Sequence, residues 1–363
     1  MNVAPWLAVI GIGEDGAAGL AAAARTLVEN AEVLVGGERH LGLADVSTAE
    51  RHPWPSPFSA SRALLEGLRG RRVVVLASGD PMWFGIGATL ARWFPGEIAV
   101  LPHPGAFSLA ASRLAWPLAE CLCLTVHGRP VEALALHLQP GRRLLVLGED
   151  GASPGRIRAL LTERGFAASR VVVLEHLGGP GERVRDTWEG RCDDLVTIAV
   201  EVRPDPGTRA LPLVPGLPDE AFLHDGQLTK REVRAVTLSA LAPLPGEMLW
   251  DVGAGCGSVA IEWMRAGGVA VALEPRPDRC ARIASNAAIL GVPGLEVVPR
   301  RRPPACRPRG RPTRFSSAAA SRRPACWPPA GTGWRRGGGW WPTPSPPRAR
   351  WRCLSTTRRG AAR

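Results

Sequence analysis

The regular alternation of short apolar runs with helix-length segments constrains this chain most strongly. Between residues 6 and 200, runs of four to eight apolar, often β-branched residues are separated by Ala-, Leu- and Arg-rich stretches. Runs of this length and spacing predict buried, largely parallel strands in α/β units. The predicted strands are WLAVIGIG, AEVLVGG, RRVVVLASGD, EIAVLP, CLCLTVHG, RRLLVLGED, RVVVLEHLGG and DLVTIAVEV.

A second α/β pattern begins near Leu228 and stops abruptly after Pro299. Its strands are EMLWDVGAG, VAVALEP and LEVVP, and its helices are LTKREVRAVTLSALA, SVAIEWMRA and PDRCARIASNAAIL. The Pro- and Gly-rich stretch between the two patterns predicts a linker. We therefore expect a first domain at residues 1–205, a linker at 206–226, half of a Rossmann-like domain at 227–299 and a tail at 300–363.

The tail differs from the rest of the chain in charge. Residues 301–363 contain 16 Arg and no Asp, Glu or Lys, whereas the whole chain has 45 basic and 33 acidic residues. The first 300 residues therefore hold 29 basic against 33 acidic side chains and are mildly acidic. Arg with interspersed Trp is typical of a nucleic-acid-binding tail, and the Pro and Gly content also suits a disordered extension.

Cysteine usage and hydropathy bear on metals, redox state and membranes. The eight Cys form neither CxxC pairs nor zinc-like Cys/His spacings, so we expect no metal site and no disulfide framework. No apolar stretch reaches the roughly 18 residues that span a membrane, and the N-terminus lacks a signal-like segment. A cytoplasmic protein without a membrane partner is expected.

The segment LWDVGAGCGSVAIEW carries the clearest chemistry of the second pattern. A strand ends at Asp251, a glycine turn follows at Gly253, Gly255 and Gly257, and a helix begins at the next residue. Glycines let a ligand approach the backbone, and the helix N-terminus offers free N–H groups. The next strand ends at Glu274, where a carboxylate accepts hydrogen bonds from ribose hydroxyls in this type of fold.

Two cofactors use this layout, and the spacing favours one of them. An NAD site prefers GxGxxG, whose third glycine would fall on Ser258, whereas D-V-G-x-G-x-G is typical of S-adenosylmethionine (SAM) sites. A tight glycine turn without a ligand is the remaining alternative. The stretch LTKREVRAVTLSALAPLPGEMLWDVGAGCGSVAIEW also resembles the methyltransferase domain that performs decarboxylating C-15 methylation of precorrins. That resemblance implies SAM contacts at Thr229, at the turn residues Gly253, Ala254, Gly255, Cys256 and Gly257, and at Glu274.

The first domain contains four motifs, in this order: VIGIGEDGAAGL, LASGDPMWFGIGATL, LPHPGAFSLAASRLAWP and LTVHGRP. Together they resemble the tetrapyrrole (corrin/porphyrin) methylases, a SAM-dependent fold of two α/β subdomains with a cleft between them. The resemblance implies that the GDP loop and the segment after PG hold SAM. The implied contacts are Ser78, Gly79, Asp80, Trp83, Phe107 and Ser108. From the residues alone, Asp80 also suits a turn cap, and His103 and His127 suit structural roles.

Both resemblances in this order match one fused family, the precorrin-6Y C5,15-methyltransferases (decarboxylating). Membership implies methylation of precorrin-6B/6Y at C-5 and C-15, and loss of CO2 from the C-12 acetate to give precorrin-8. It also implies SAM as cofactor, a small-molecule tetrapyrrole partner, no nucleic acid, and a homo-oligomer. The residues single out no catalytic base. The alternatives are a uroporphyrinogen-type methylase fused to an unrelated methyltransferase, and a nucleic-acid-binding protein that uses the basic tail.

The family resemblance gives the tail a third interpretation. A methyltransferase domain of this type needs about seven strands, and the pattern supplies three before the tail begins. Written in GC-rich codons and read from the third nucleotide, Pro312 to Ala320 becomes DAVFVGGG, and Arg336 to Pro346 permits GGRLVANAVT. Both are segments that the missing half of the domain requires. We therefore predict that the tail is translated in a shifted frame entered near Pro299.

Overall fold

The computed structural model describes residues 5–300 and the backbone of Arg314–Ser317. The chain divides between Thr208 and Arg209 into two units, here called unit 1 and unit 2, and Glu132–Leu138 goes with unit 2. The predictions of disorder, nucleic-acid binding and a shifted frame for residues 301–313 and 318–363 lie outside the described residues.

The first sheet of unit 1 is entirely parallel, with strand order β3-β2-β4-β1-β5. Alternate residues of its central strand enter two different apolar clusters: Val74 and Leu76 join one, Val73 and Val75 the other. Both faces of the sheet are therefore covered, which is why its strands read as continuous apolar runs. Its strands are β1 (Leu7–Ile12), β2 (Val33–Gly36), β3 (Glu50–Pro53), β4 (Val73–Ser78) and β5 (Ile98–Leu101).

The second sheet of unit 1 has the order β6-β7-β10-β8-β9 and is mixed. Strands β6 and β7 are parallel, but β10 runs antiparallel to both of its neighbours, so the prediction of largely parallel strands is wrong for this sheet. A buried strand is equally apolar in either direction, and the sequence pattern therefore carries no direction. The strands are β6 (Cys121–Thr125), β7 (Arg143–Leu147), β8 (Arg170–Glu175), β9 (Arg183–Arg185) and β10 (Val196–Glu201).

All eight strands predicted for the first pattern are present, and two further ones were missed. The missed strands, β3 and β9, lie at sheet edges and consist largely of exposed charged residues. An edge strand needs no apolar run, so periodicity gives no signal for it. The α-helices among the described residues are α1 (Ala22–Glu29), α2 (Glu38–Leu43), α3 (Ser61–Gly67), α4 (Gly87–Trp93), α5 (Ala106–Leu114), α6 (Ser153–Glu163), α7 (Arg231–Leu241), α8 (Ser258–Arg265) and α9 (Pro277–Ile289).

The sheet of unit 2 is parallel and has the order β13-β12-β11-β14. Strands β11 (Met248–Val252), β12 (Val269–Leu273) and β13 (Glu296–Val298) are the three that the pattern predicts. The fourth, β14 (Arg314–Ser317), pairs with β11 on its other side. Its sequence, RFSS, lacks the apolar run of a central parallel strand, and the pattern did not predict it.

Part of the segment predicted as a linker packs into unit 2. Leu217 and Phe222 are buried in its main apolar cluster. The backbone there is held by a buried ion pair between helices α7 and α8, in which Arg234 Nε lies 2.5 Å from Glu262 Oε1. Glu262 also accepts hydrogen bonds from the N–H groups of Gly216 and Leu217. Pro and Gly predicted irregular backbone correctly, but irregular backbone is not the same as a free linker.

The ion pair generates a prediction about stability. Arg234→Met should lower the free energy of unfolding of unit 2 by about 3–5 kcal/mol, because it leaves the buried Glu262 carboxylate without its cation. The matched control on the exposed face of α7, Glu232→Gln, should change it by less than about 0.5 kcal/mol. Urea denaturation followed by amide exchange in β11 and β12 measures both. Equal stability of the two variants would contradict the prediction.

Candidate functional site

The loop after β4 lies very close to the backbone at Gly105. Gly79 has φ +50°, and a Cβ built on it would lie 2.6 Å from Gly105 Cα. Its N–H donates to Ile12 O at 3.1 Å, and its carbonyl accepts from His103 N at 3.1 Å. Only glycine fits this position, so the GDP loop is fixed between the loops that follow β1 and β5.

This loop forms part of the wall of a cavity of about 550 Å³ within unit 1. Residues from both of the unit's sheets line it, among them Leu147 and Leu174 from the second sheet. Of the six contacts predicted here, five are on the wall: Ser78, Gly79, Asp80, Trp83 and Phe107. Ser108 is not, because it follows Phe107 on helix α5, where it is exposed and Phe107 is buried.

An aromatic cluster closes one side of the cavity. The rings of Trp83 and Phe84 meet the Phe107 ring edge-on, at centroid distances of 6.0 and 6.1 Å. Trp83 keeps 52% of its surface exposed, and Phe84 has a φ of +54° that bulky residues rarely adopt. Asp80 Oδ1 accepts the N–H of Met82 at 2.9 Å, so this carboxylate caps the turn that carries the aromatic residues.

Two cavity residues that the sequence reasoning missed are Arg39 and His40, both on helix α2, which follows β2. The Ser78 hydroxyl lies 2.9 Å from an Arg39 nitrogen and 2.7 Å from His40 Nε2. Arg39 also pairs with Glu14. The signal for them was topological: β2 lies beside β4 in a parallel sheet, so the loops after both strands share one edge.

The electrostatics of this cluster keep His40 neutral. Burial, and secondarily the Arg39 cation, lower the pKa of His40 from 6.5 to about 4. Arg39 donates to His40 Nε2 at 2.9 Å, so this nitrogen is the acceptor. Two further histidines were considered from the sequence. His127 also lines the cavity, and His103 Nε2 lies 3.4 Å from Asp15 Oδ1.

The glycine turn of unit 2 follows β11 as predicted. Gly253, Gly255 and Gly257 all have positive φ, at +75°, +63° and +81°. A Cβ on Gly257 would lie 2.9 Å from a methyl carbon of Ile283 on α9. Left-handed backbone and close packing thus both require glycine here, and they turn the chain sharply into helix α8.

The acidic residues of unit 2 hold this turn. Glu274 is 3% exposed, and its Oε2 accepts the N–H of Gly255 at 3.0 Å while its Oε1 accepts that of Arg276. Asp251 is buried at the end of β11, and its Oδ2 accepts the N–H of Ala260 at 3.3 Å. Of these two residues, Glu274 therefore contacts the turn itself, and Asp251 contacts the helix that follows it.

The remaining predicted residues of unit 2 have different surroundings. Ala254 and Cys256 are buried within the turn, and burial raises the pKa of the Cys256 thiol. Thr229 precedes helix α7, but the N-cap position is Lys230. The Thr229 carbonyl accepts from Arg234 at 2.5 Å.

Within 5–300, no group of three or more His, Cys, Asp or Glu side chains is arranged to hold a metal ion. No helix in that part of the chain has both the length and the apolar character needed to cross a membrane.

Comparison with protein families matches both units. Residues 7–191 match the Tetrapyrrole (Corrin/Porphyrin) Methylases, and residues 220–314 match the Precorrin methyltransferase domain. Two α/β units, each with a glycine-rich loop at the carboxyl edge of a parallel sheet, together define a two-unit methyltransferase. The second match begins at residue 220, inside the segment predicted as a linker, as the packing of Phe222 requires.

Comparison with individual proteins gives the particular family. The chain is 52% identical over 305 residues to a Sinorhizobium precorrin-6Y C(5,15)-methyltransferase [decarboxylating], covering 82% of this chain and 74% of that protein. It is 29% identical over 181 residues to the cobalt-precorrin-7 C(5)-methyltransferase of Salmonella typhimurium, covering 49% and 88%. It is 39% identical over 83 residues to a probable cobalt-precorrin-6B C(15)-methyltransferase (decarboxylating) of Pyrobaculum aerophilum, covering 22% and 42%. The chain belongs to the precorrin-6Y C(5,15)-methyltransferase family.

The lowered pKa of His40 predicts how stability depends on pH. The folded-state pKa of about 4 lies below the ordinary 6.5, so the unfolded chain binds more protons between these values. The stabilising contribution is therefore complete above pH 6.5 and is lost as the pH falls towards 4. Between pH 7 and 5, the free energy of unfolding of unit 1 should fall by about 1–2 kcal/mol in the wild type but not in His40→Asn.

Urea denaturation of unit 1 at both pH values measures this difference. His224→Asn, which changes an exposed histidine of unit 2, serves as the control and should follow the wild type. Parallel pH dependence of the wild type and His40→Asn would show that His40 is not held neutral.

Proposed function

We propose that each unit binds S-adenosylmethionine and that the chain methylates a precorrin at C-5 and C-15, with decarboxylation. The observation that carries the proposal is the pair of glycine loops at the carboxyl edges of parallel sheets, in a chain whose relatives are precorrin methyltransferases. Family membership favours this over a uroporphyrinogen-type methylase fused to an unrelated enzyme.

The residues of unit 1 fit SAM. Gly79 lets the GDP loop pack directly against Gly105, where a side chain has no room, and this packing fixes the loop backbone that would contact the cofactor. The half-exposed Trp83 and the buried Phe107 offer an apolar wall to an adenine or to the methylthio group. Hydrogen bonds to Arg39 and His40 orient the Ser78 hydroxyl, which would donate a hydrogen bond to the cofactor or accept one from it. A neutral His40 adds no positive charge beside a sulfonium.

The residues of unit 2 also fit. Glu274 has two carboxylate oxygens at the end of β12, beside the turn, where ribose hydroxyls would donate to it. The turn residues Gly253 and Gly255 carry no side chains that block the approach. Thr229 lies just before helix α7, and the family resemblance assigns it a contact with the cofactor.

The chemistry divides between the cofactor and the protein. SAM supplies an activated methyl group, and the macrocycle carbon is the nucleophile. The protein's residues orient the two and exclude water, and such positioning alone is worth several kcal/mol of the barrier. In unit 1, Trp83, Phe84 and Phe107 form the apolar side of the cavity, and Arg129, whose guanidinium lies over the Phe84 ring, supplies a cation on its wall for substrate carboxylates.

The two activities are assigned to separate units. The relative named for C(5) alone aligns over 181 residues, close to the length of the match at 7–191. The relative named for C(15) and decarboxylation aligns over 83 residues, close to the length of the match at 220–314. We assign C-5 methylation to unit 1, and C-15 methylation with decarboxylation to unit 2.

The first prediction of the proposal concerns cofactor binding by unit 1. Gly79→Val should weaken SAM binding there at least about tenfold, because a side chain would displace the loop against Gly105. Gly96→Ala is the matched control, since Gly96 also has positive φ but has open space around it. Titration with SAM, followed by amide exchange in residues 78–84, gives the affinity of this site. Equal affinities for the two variants would remove the GDP loop from the site.

The second prediction concerns the tail. If residues 300–363 are translated in a shifted frame, the chain keeps C-5 methylation but loses C-15 methylation and decarboxylation. With eleven Pro and no apolar run in residues 301–363, the sequence as written does not supply the apolar segments that the remaining strands of such a domain require.

The test is CO2 release from the precorrin substrate. The purified 363-residue chain is compared with a version whose reading frame is restored after Pro299, and methylation by each is followed with labelled SAM. We expect CO2 only from the restored version. Equal rates would contradict the frameshift proposal, and nucleic-acid binding that is lost on deletion of residues 301–363 would favour the alternative function instead.

A further inference from the structure

A segment of irregular backbone, residues 216–230, runs past the glycine turn of unit 2, and we call it the arch. Its Gln227 carbonyl oxygen lies 3.3 Å from the place that a Cβ on Gly255 would occupy. Arch and turn are thus so close that a side chain at position 255 would touch the arch. The arch ends at Thr229 and Lys230, directly before helix α7.

Charged side chains anchor the two ends and the middle of the arch. At its start, Glu262 accepts from Gly216 N at 2.6 Å and from Leu217 N at 3.1 Å. At its end, Arg234 donates to the Thr229 carbonyl. In the middle, Asp225 pairs with Arg279 at 2.9 Å and with Arg282 at 3.1 Å, and these partners hold the pKa of Asp225 well below its usual range.

One uncharged side chain joins the arch to the turn itself. Asn286, on helix α9, is fully buried. Its Oδ1 accepts the N–H of Leu223 at 2.8 Å, and its Nδ2 donates to the Leu223 carbonyl at 2.9 Å. The same Nδ2 donates its second hydrogen to the Cys256 carbonyl in the glycine turn, also at 2.9 Å. The amide therefore binds both backbone groups of one arch residue and one backbone group of the turn.

We propose that Asn286 is a positioning residue that keeps the glycine turn of unit 2 in its cofactor-binding conformation by fastening it to the arch. The proposal rests on SAM binding at this turn. Among the hydrogen bonds described here, the Cys256 carbonyl is a buried acceptor whose partner is the Asn286 amide. Without that donor, the peptide between Cys256 and Gly257 would keep the bond from Gly257 N to Ala254 O at 2.8 Å, but its buried carbonyl would lose the Asn286 donor. The arch would lose both bonds at Leu223.

Amide exchange on the full chain tests the coupling directly. In Asn286→Ala, exchange should speed up together in the arch and in residues 253–257, while β12 and unit 1 keep their protection. The SAM concentration that half-protects residues 253–257 should rise about tenfold, as expected for the loss of buried hydrogen bonds. Ser285→Ala is the matched control, because the Ser285 hydroxyl bonds only to Ala281 O within its own helix among the contacts described.

A second pair of variants keeps the test decisive if Asn286→Ala unfolds unit 2. Leu223 is exposed, so Leu223→Ala should change little, whereas Leu223→Pro removes the N–H that donates to Asn286. The preceding Phe222 is extended, at φ −112° and ψ 135°, as a residue before proline must be. Leu223→Pro should therefore loosen both the arch and the turn, and Leu223→Ala should loosen neither.

The outcomes separate this proposal from the function it rests on. If exchange changes in the arch alone and the SAM midpoint stays at its wild-type value, Asn286 is a structural residue only and the proposal is wrong. If SAM protects no part of residues 253–257 in the wild type, the assignment of SAM to unit 2 fails. In that case, joint loosening of arch and turn in Asn286→Ala would still support the coupling, and separate behaviour would overturn it.

Discussion

Parallel strands covered on both faces are the constraint from which the rest of this structure follows. Because both faces are apolar, polar groups of the chain concentrate at the strand ends, and the carboxyl ends of neighbouring strands share one edge. In unit 1 that edge collects the loops after β1, β2 and β4, and so Glu14, Arg39 and Ser78. In unit 2 the same rule brings Glu274 to the glycine turn. Neither site has a single contiguous sequence, yet topology alone assembles each.

The two units shape their loops by opposite means. In unit 1, the absence of side chains lets backbones touch, as at Gly79 against Gly105. In unit 2, buried polar side chains hold the backbone, as Glu274 holds Gly255 and Asn286 holds Cys256. The first means leaves a strong signal in the sequence, because glycine and its neighbours form a motif. The second leaves an uneven signal: Glu274 could be predicted because it ends a buried strand, whereas a single Asn in an amphipathic helix resembles any other polar residue.

This difference explains what the sequence could predict. Gly79 to Trp83 and Gly253 to Gly257 lie in loops after buried strands, as their motifs predict, and Ser78 is the last residue of β4. Their contacts with SAM stay a prediction. Arg39 and His40 were missed because their link to Ser78 depends on strand order, β2 beside β4, which one sequence does not reveal. Phe107 and Ser108 were predicted together, but consecutive residues of a helix point about 100° apart, and only Phe107 reaches the cavity wall. Strand β14 has no apolar signal; in the shifted frame, its residues fall within DAVFVGGG, which has the apolar run of a central strand.

The contacts of the arch explain why unit 2 buries charged side chains in its interior. This Pro- and Gly-rich segment forms no α-helix or ladder beyond the short 3-10 helix Asp219–Ala221, so most of its buried N–H and carbonyl groups need partners from elsewhere. Arg234 and Glu262 supply them at Gly216, Leu217 and Thr229, and the Phe222 ring packs against the Arg234 guanidinium at 4.7 Å. Replacing such a pair by apolar residues of similar volume is often neutral in other proteins. Here it would leave the arch backbone unsatisfied, because both members of the pair also bind main-chain groups. The ion pair is therefore retained for the backbone it organises, and the glycine turn depends on that backbone in turn.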